Sequence, residues 1–380
     1  MNFEEHAAKP LLKAAGIAVP DSRLARTPDE AAAAQEALGA VVVKAQVPTG
    51  KRGKAGGIRK VDTAAETRAA AEAILGMTID GHRVNSVLIE QRAAIAREFY
   101  AAVMNDPASK GPLVMFSTLG GMDIEEVAAS DAKAIRRAEV DIRRGFDAKA
   151  ARAMLKGLGL SDKDAQVADV LAKLYKVYRD DDAELIEINP LVITGDGRLV
   201  ALDCKFVMDD SAVKRHVELA KQGTPEKLTG LEARARALGL RYIELDGDVG
   251  VLANGAGLTM TTMDVVRHLR GRPANFLEIG GEAYTQAKPA LDLVLANPNV
   301  RSLVINFCGA FARTDVMTEG VLAALEELKP TLPIHWSVHG TGDVEARAML
   351  KLRIGVVPFA TMDQACAAAV ESARKAGGRR

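Results

Sequence analysis

The chain has few cysteines, and its histidines follow no catalytic spacing. Its 380 residues include three cysteines, Cys204, Cys308 and Cys366, which are widely separated in the sequence. An odd number of distant cysteines fits neither a disulfide framework nor a tetrahedral zinc site, so we expect buried, reduced thiols. The six histidines lie outside the H-E-x-x-H and serine-triad patterns. The sequence therefore offers no obvious histidine nucleophile.

The chain also lacks an excess of charge, an abundance of aromatic residues and a long apolar run. Fifty Lys and Arg residues balance fifty Asp and Glu residues, and aromatic residues make up 4% of the chain, with Trp336 as the single tryptophan. Such a chain has no global basic field for nucleic acid or anionic lipid and no stacking platform for single strands. No apolar run approaches the roughly 20 residues of a membrane span, and the first residues lack the pattern of a secretory signal. We therefore expect a cytoplasmic protein that binds neither nucleic acid nor membranes.

Two different patterns divide the chain into an expected first domain, residues 1–238, and an expected second domain, residues 239–380. The first mixes helical and strand patterns around a glycine-rich loop, which favours an α+β fold. In the second, amphipathic helices alternate with the apolar segments VGVLA, ANFLEI, SLVINF, PIHWSV and VVPFA. This alternation is typical of parallel strands joined by right-handed helical crossovers. It predicts a doubly wound α/β sheet that binds its ligand where the strands end.

A glycine-rich loop follows a buried strand near residue 44. The segment VVVKAQVPTGKRGKAGGI places Lys44 in the strand and four glycines in the loop, at positions 50, 53, 56 and 57. Glycines let backbone N–H groups approach a polyphosphate closely, and a lysine supplies a point charge. The spacing matches neither the P-loop nor the dinucleotide-binding fingerprint. The alternative interpretation is a solvated basic hairpin tip.

Residues 183–205, AELIEINPLVITGDGRLVALDCK, have the pattern of two apolar strands joined by a three-residue turn. In that hairpin Asn189 comes opposite Asp203, and Glu187 comes opposite Lys205. Opposed residues share a face, so Asn189, Asp203 and Glu187 present hard oxygens on one side. Mg²⁺ is commonly held by one or two such oxygens, with waters and substrate phosphates completing its shell. The alternative for Glu187 is a simple ion pair with Lys205.

Two further acidic residues lie at the ends of expected strands. Glu90 ends one strand and Glu98 begins the next. We expect Glu90 to contact a nucleotide and Glu98 to lie near its phosphates or metal, although acidic residues at strand ends are also common on solvated surfaces.

Taken together, these segments resemble the β subunit of the succinate–CoA ligases, which form ADP or GDP. The segments that carry the resemblance occur in family order over nearly the whole chain: KPLLKAAGIAVP, VVVKAQV followed by KRGKAGG, STLGGMDIEEVA, ELIEINPLVIT, LVALDCK, NGAGLTMTTMD and ANFLEIGG. The resemblance implies an ATP-grasp domain followed by a flavodoxin-like domain that helps to bind the acid.

The resemblance also implies roles for individual residues. Nucleotide phosphates would contact Lys44, Arg52, Gly53 and Lys54, with Glu90 at the nucleotide and Glu98 at its phosphate end. Asn189 and Asp203 would hold Mg²⁺. Glu187 would orient a phosphorylated histidine that belongs to a partner α subunit, so the lack of a nucleophilic histidine here is expected. The implied reaction converts ATP (or GTP), a carboxylic acid and CoA to acyl-CoA, ADP (or GDP) and phosphate, with CoA mainly on the α subunit.

The chain departs from the family pattern where the acid is expected to bind. The expected acid-substrate residues are Asn254, Gly309, Ala310, Phe311, Ala312, Ser337 and His339. Ser337 stands where the family carries an arginine, and a serine cannot replace a guanidinium that clamps a carboxylate. We therefore predict that succinate is not the preferred acid, with His339, Phe311 and Glu282 helping to select another. The alternative is drift within a succinate enzyme, with a nearby arginine such as Arg313 compensating.

Two other functions stay open at the level of sequence. One is a free-standing ATP-grasp carboxylate ligase that passes an acyl phosphate to an amine or thiol. The other is a non-catalytic, nucleotide-binding partner subunit.

Overall fold

The computed structural model describes residues 1–122, 124, 134–160, 163–225, 227–280 and 286–377. The chain forms two compact units, Met1–Glu226 and Lys227–Arg380. The domain boundary expected after residue 238 stays a prediction. Among the described residues, no helix has both the length and the apolar character needed to cross a membrane.

The first unit is built mainly from antiparallel strands. Its strands are β1 (Asn2–Phe3), β2 (Ser22–Ala25), β3 (Val41–Ala45), β4 (Ile58–Val61), β5 (Thr78–Ile79), β6 (His82–Arg83), β7 (Val87–Gln91), β8 (Ile95–Asp106), β9 (Gly111–Ser117), β10 (Ile135–Glu139), β11 (Ala183–Thr194), β12 (Leu199–Ala201) and β13 (Lys205–Met208). Its helices are α1 (Glu5–Ala14), α2 (Pro28–Leu38), α3 (Ala64–Ile74), α4 (Ala148–Leu155), α5 (Asp164–Asp180) and α6 (Val217–Ala220).

Two sheets organise this unit. A seven-stranded sheet has the order β1-β13-β11-β8-β9-β10, with β12 paired to β11, and a four-stranded sheet has the order β2-β7-β3-β4. The core of the larger sheet includes residues of α1, α4 and α5, and a separate core joins α2 and α3 to the smaller sheet. The α+β organisation expected from the sequence is therefore confirmed.

The second unit is a parallel sheet between two layers of helices. Its strands are β14 (Tyr242–Glu244), β15 (Val249–Asn254), β16 (Asn275–Ile279), β17 (Ser302–Gly309) and β18 (Ile334–Gly340). Its helices are α7 (Gly230–Ala237), α8 (Ala256–His268), α9 (Ala287–Ala296), α10 (Thr314–Leu328), α11 (Asp343–Ile354) and α12 (Met362–Gly377). The order is β14-β16-β15-β17-β18, and β14 alone among these pairs antiparallel.

Hydrophobic clusters on the two faces of this sheet show that it is doubly wound. One cluster joins the sheet to residues of α7, α9, α10 and α11, and the other joins it to α8 and α12. The predicted architecture is therefore confirmed, but one predicted strand is wrong. In VVPFA, Phe359 forms only an isolated bridge to Ser337, and residues 356–360 form no strand in the described chain.

Candidate active site

One cleft in the first unit brings together the residues predicted to bind nucleotide and metal. The cleft has a volume of about 800 Å³, which is within the usual range for small-molecule sites. Its lining includes Lys44, Arg52, Gly53, Lys54, Glu90, Glu98, Asn189 and Asp203. A smaller cavity of about 190 Å³ shares Arg52, Asn189 and Asp203 and adds Glu187. Residues separated by up to 159 positions in sequence therefore surround one space.

Lys44 lies at the centre of a buried polar cluster. Strand β3 places it between β4 and β7, and its Nζ donates to Glu5 Oε1 at 2.9 Å, Glu90 Oε1 at 2.7 Å and the Leu202 carbonyl at 2.5 Å. Burial alone would lower the pKa of this ammonium group, but the carboxylates of Glu5, Glu90 and Asp203 raise it above its ordinary value. Lys44 is thus held as a fixed positive charge.

Glu5 joins three positive side chains, and sequence reasoning missed it. Its Oε1 lies 2.6 Å from Lys9 Nζ and 2.9 Å from Lys44 Nζ, and its Oε2 lies 2.8 Å from Arg52 Nη1. Burial would raise the pKa of the Glu5 carboxyl, but Lys44, Lys9 and Arg52 together hold it well below its ordinary value. The only sequence signal was the i,i+4 spacing of Glu5 and Lys9 on α1, which is common on solvated helices.

Lys9 completes this cluster from α1. Its Nζ contacts Glu90 Oε2 and donates to the Leu202 carbonyl at 2.9 Å. Burial raises the pKa of Glu90, while the ammonium groups of Lys44 and Lys9 lower it, and the net direction is upward. Glu90 is 2% exposed. Its observed partners are therefore lysines, and its predicted contact with a nucleotide stays a prediction.

The loop after β3 folds back onto that strand. Ala45 N donates to Gly57 O at 2.7 Å, and Gly57 N donates to Arg52 O at 2.9 Å. A Cβ on Gly57 would lie 2.8 Å from Ile79 Cδ1 and 3.0 Å from Ala45 Cβ, so only glycine fits without displacement. Arg52 is 6% exposed and turns inward, whereas Gly53 and Lys54 are exposed.

Arg52 is bound to both sides of the cleft. Its Nη1 donates to the Ala45 carbonyl at 3.0 Å. Its Nη2 lies 2.7 Å from Asp203 Oδ1 and 2.8 Å from Asp203 Oδ2. The loop is therefore tied to the segment that follows β12.

The hairpin has the predicted register, but its ladder is interrupted. Glu187 pairs with Lys205 as predicted, and Leu191 pairs with Ala201. Residues 202–204 leave the ladder, so the predicted strand pair of Asn189 with Asp203 is wrong as a backbone pairing. Both side chains still line the cleft.

Asn189 is oriented by the loop that follows β9. Its Oδ1 accepts from Gly121 N at 2.8 Å, and its Nδ2 donates to the Met122 carbonyl at 2.9 Å. Gly121 has a φ of +72°, and a Cβ there would clash with Glu98 Oε2. Glu98, Gly121 and Asn189 therefore meet at one edge of the cleft.

The donor set suits a hard cation bound together with phosphates. Asp203 offers a carboxylate and Asn189 an amide oxygen, which are ligand types that Mg²⁺ accepts. Over the described ranges, no cluster of three or more His, Cys, Asp or Glu side chains could hold a metal. Any Mg²⁺ here would need waters or substrate oxygens as its remaining ligands.

Glu187 is held from the neighbouring strand. Tyr100 Oη on β8 donates to Glu187 Oε2 at 2.9 Å. Tyr100 is 2% exposed. Sequence analysis did not identify this tyrosine, because the pairing of β8 with β11 is a long-range contact.

Most of the predicted acid-substrate residues lie at the carboxyl edge of the sheet in the second unit. Asn254 ends β15, and its amide exchanges two hydrogen bonds with the Cys308 backbone, at 2.9 and 2.8 Å. Cys308 pairs with His339, and Gly309 with Gly340. Phe311 is fully exposed, at 105%, between Ala310 and Ala312. Glu282, named as a selecting residue, lies outside the described residues.

Ser337 and His339 have different surroundings. Ser337 is 0% exposed, and its hydroxyl has no hydrogen-bond partner among the described residues. His339 is partly exposed, and Arg347 Nη2 lies 3.5 Å from its Nδ1 and donates to the Val338 carbonyl at 2.7 Å. The structure therefore adds Arg347, which sequence analysis missed, beside His339.

Comparisons with known proteins agree with this organisation. A family model described as an ATP-grasp domain matches residues 2–193, and a model described as CoA-ligase matches residues 252–370. A solved structure of ATP citrate lyase from Methanothrix soehngenii, in complex with citrate and coenzyme A, has a TM-score of 0.71 at 23% identity. The match covers 97% of this chain and 99% of the lyase chain. It shows that the two proteins have similar folds.

Two curated relatives are similar over nearly their full length. The β subunit of a GDP-forming succinate–CoA ligase from Thermus thermophilus is 44% identical over 92% of this chain and 93% of its own length. The β subunit of an ADP-forming succinate–CoA ligase from Rubrobacter xylanophilus is 44% identical over 99% of this chain and 100% of its own length. The chain therefore belongs to the family of succinate–CoA ligase β subunits.

Proposed function

We propose that this chain is the β subunit of a nucleoside-diphosphate-forming acyl-CoA ligase. With an α subunit, it would convert ATP or GTP, a carboxylic acid and CoA to acyl-CoA, nucleoside diphosphate and phosphate. The observation that carries the proposal is the cleft in which Lys44, Arg52, Asn189 and Asp203 surround one space. Family membership adds that related chains of the same length are named for this reaction.

The side chains of the cleft suit phosphoryl transfer, which depends on positioning and charge neutralisation more than on covalent help. Lys44 supplies a fixed positive charge, and Arg52 supplies a guanidinium from the loop. The exposed backbone at Gly53 and the side chain of Lys54 reach the phosphates from the loop. When bound to Asn189 and Asp203, Mg²⁺ would neutralise phosphate charge.

Glu187 serves the step that involves the partner. ATP or GTP would phosphorylate a histidine of the α subunit, releasing the nucleoside diphosphate. The phosphorylated histidine would transfer its phosphoryl group to the acid, and the CoA thiol would attack the resulting acyl phosphate, releasing phosphate and forming acyl-CoA. A carboxylate that accepts an imidazole N–H fixes the tautomer and orientation of the ring. Tyr100 holds the Glu187 carboxylate for this task, and CoA would bind mainly to the α subunit.

The proposal includes both ATP and GTP as the nucleotide substrate. The two relatives described above are equally identical to this chain, and one is named GDP-forming and the other ADP-forming. Competition between the two nucleotides in one assay decides it. The cytoplasmic location expected from the sequence also stays a prediction.

We also propose that the preferred acid is not succinate. A fully buried Ser337 with no charge cannot clamp a carboxylate, while Arg347 places a guanidinium beside His339 at the end of β18. Phe311, fully exposed at the tip of its loop, adds apolar surface beside this edge. An acid whose second polar group differs from that of succinate fits these changes.

The deciding experiment measures ADP release by the chain, purified with its α subunit, given ATP, Mg²⁺, CoA and a panel of succinate, malate, citrate, malonate and sulfonated acids. Turnover led by another acid supports the altered pocket, and turnover led by succinate refutes it. Lys44→Met should abolish turnover, whereas Lys13→Met, which removes an exposed lysine of α1, should not.

A second measurement separates the remaining alternatives. Calorimetry of Mg-ATP with the chain alone should show binding that Lys44→Met removes. Tight binding without turnover by any panel acid would favour a non-catalytic partner subunit. Turnover without an α subunit would favour a free-standing carboxylate ligase.

A further inference from the structure

The guanidinium of Arg52 makes two separate groups of contacts within the first unit. Its Nη1 faces Glu5 Oε2 at 2.8 Å and the Ala45 carbonyl at 3.0 Å. Its Nη2 faces Asp203, 2.7 Å from Oδ1 and 2.8 Å from Oδ2. The two nitrogens of one guanidinium therefore serve different elements, α1 and β3 on one side and the segment after β12 on the other.

The two partners differ in exposure. The Asp203 side chain is 33% exposed, whereas the side chains of Arg52 and Glu5 are 6% and 1% exposed. A cation in the cleft can reach Asp203, but it meets the positive charge of Nη2 at the same carboxylate. Like charges at one carboxylate repel each other, and the repulsion is larger in a partly buried site than in water.

We infer that a divalent cation and Arg52 compete for Asp203, so that cation binding transfers Nη2 of Arg52 from Asp203 to a phosphate oxygen of the nucleotide. This inference rests on the proposed function, in which Asp203 is a metal ligand. The Nη1 contacts with Glu5 and Ala45 stay in place, so the guanidinium turns about a fixed anchor. Guanidinium groups bind carboxylate and phosphate oxygens with the same donor geometry, which makes the exchange chemically matched.

Because of this exchange, the contact between the loop (residues 46–57) and the segment after β12 depends on whether a cation is bound. While Nη2 holds Asp203, residues 46–57 are tied to the segment after β12 through a charged pair. Once a cation binds Asp203, this contact is lost. The loop keeps the Nη1 contacts, its backbone bond to β3, the Gln46 bond to the Ser86 carbonyl and the Thr49 bond to Asp80. The alternative is that Arg52 keeps Asp203 and the cation uses the remaining lone pairs of the carboxylate.

The first test measures Mn²⁺ binding to the full chain without nucleotide, from the free Mn²⁺ signal in electron paramagnetic resonance. Arg52→Gln should bind Mn²⁺ about tenfold more tightly than the natural chain, because a competing charge is removed. Arg52→Lys keeps the charge and should stay near the natural affinity. Arg59→Gln, which removes an exposed positive charge from β4, is the matched control and should change nothing.

The increase in Mn²⁺ affinity caused by Arg52→Gln must depend on Asp203. In an Asp203→Asn background, Arg52→Gln should give no increase in Mn²⁺ affinity. Circular dichroism during heating identifies the variants that are folded. A folded Arg52→Gln variant that binds Mn²⁺ no more tightly than the natural chain would overturn the inference, as would an equal gain in Arg52→Lys.

A second measurement needs no Arg52 variant and covers the case in which Arg52→Gln does not fold. Hydrogen–deuterium exchange over residues 46–57 of the natural chain should become faster when Mn²⁺ is added and stay unchanged in Asp203→Asn. Bound Mn²⁺ with unchanged or slower exchange would refute the transfer. Absence of Mg-ATP binding by calorimetry would instead refute the proposed function, so the two failures are distinguishable.

Discussion

The hydroxyl of Tyr100 on β8 donates a hydrogen bond of 2.9 Å to Oε2 of Glu187 on β11. Tyr100 is almost fully buried, and Glu187 lines the smaller cavity beside Asn189 and Asp203. A buried tyrosine of the sheet therefore hydrogen-bonds to a carboxylate at the border of the proposed site. In the proposed function, Tyr100 would contribute by positioning Glu187.

Replacing this tyrosine should separate positioning from binding. Tyr100→Phe should lower kcat about tenfold with little change in the KM for nucleotide, because Glu187 loses its orientation and the phosphate contacts stay. The control is Tyr178→Phe, which removes a hydrogen bond to Asn105 in the same unit. Both variants should lose about 1 kcal/mol of unfolding free energy. Equal effects on kcat would contradict a positioning role for Tyr100.

Glu5 should be needed for stability as well as for the site. Glu5→Ala leaves Lys9, Lys44 and Arg52 with one carboxylate fewer in a buried place, and removal of one partner from such a network typically costs about 3–5 kcal/mol. Urea denaturation should show a loss of this size. Glu36→Ala, at an exposed position of α2, should change the free energy by less than about 0.5 kcal/mol. A small effect at Glu5 would mean that the cluster rearranges without it.

The pKa of Glu5 also predicts how stability depends on pH. Because its folded-state pKa lies well below the ordinary value of 4.5, the unfolded chain binds the proton more readily. The Glu5 contribution is therefore complete above about pH 4.5 and is lost as the pH falls below it. Glu90, whose pKa is raised, acts in the opposite direction. Glu5→Gln should make the acid side of the unfolding free energy less steep than in the natural chain, and an unchanged slope would be inconsistent with this assignment.

Gly121 should be required for nucleotide binding because a side chain there would meet Glu98, in addition to straining the backbone. Gly121 and Gly355 have similar φ angles, +72° and +69°, so an alanine at either position is strained by roughly 1 kcal/mol. An alanine Cβ at Gly121 would also displace the Glu98 carboxylate, whereas at Gly355 it would meet no described atom within 4 Å. Gly121→Ala should therefore weaken Mg-ATP binding about tenfold in calorimetry, and Gly355→Ala should not. Equal binding by both variants would exclude the loop from the nucleotide site.

Local sequence patterns predicted the strand pairing of the hairpin correctly, but they did not predict the contacts that the hairpin makes with other elements. The turn after Thr194 fixes the register because side chains alternate along a strand, so Glu187 and Lys205 pair as predicted. The interruption at residues 202–204 has no local signal, yet it places Asp203 against Arg52. Local periodicity describes one element at a time, and contacts between distant elements need the fold.

The same limit explains the residues that were missed. Glu5 and Lys9 contact Lys44 and Glu90 only because α1 lies near β3 and β7, which are about 35 to 85 residues away. In the second unit, the apolar segment VVPFA has the composition of a strand, but Phe359 makes one bridge. Apolar and β-branched residues fit a sheet only where a partner strand is available.

The three cysteines should differ in reactivity, and the difference tests the predicted acid site. The expectation of buried thiols is confirmed for Cys204 and Cys366 and is wrong for Cys308, which is exposed. Burial raises the pKa of the Cys204 thiol well above its ordinary value and that of Cys366 to about 12, so both are thiols at pH 8 and the thiolate is the reactive form. A disulfide reagent should therefore modify one thiol quickly in the folded chain, and Cys308→Ser should remove that phase. Because Cys308 pairs with His339 at the edge of the sheet, the preferred acid should slow the reaction in the assembled enzyme. Fast modification that no acid in the panel slows would place the acid elsewhere.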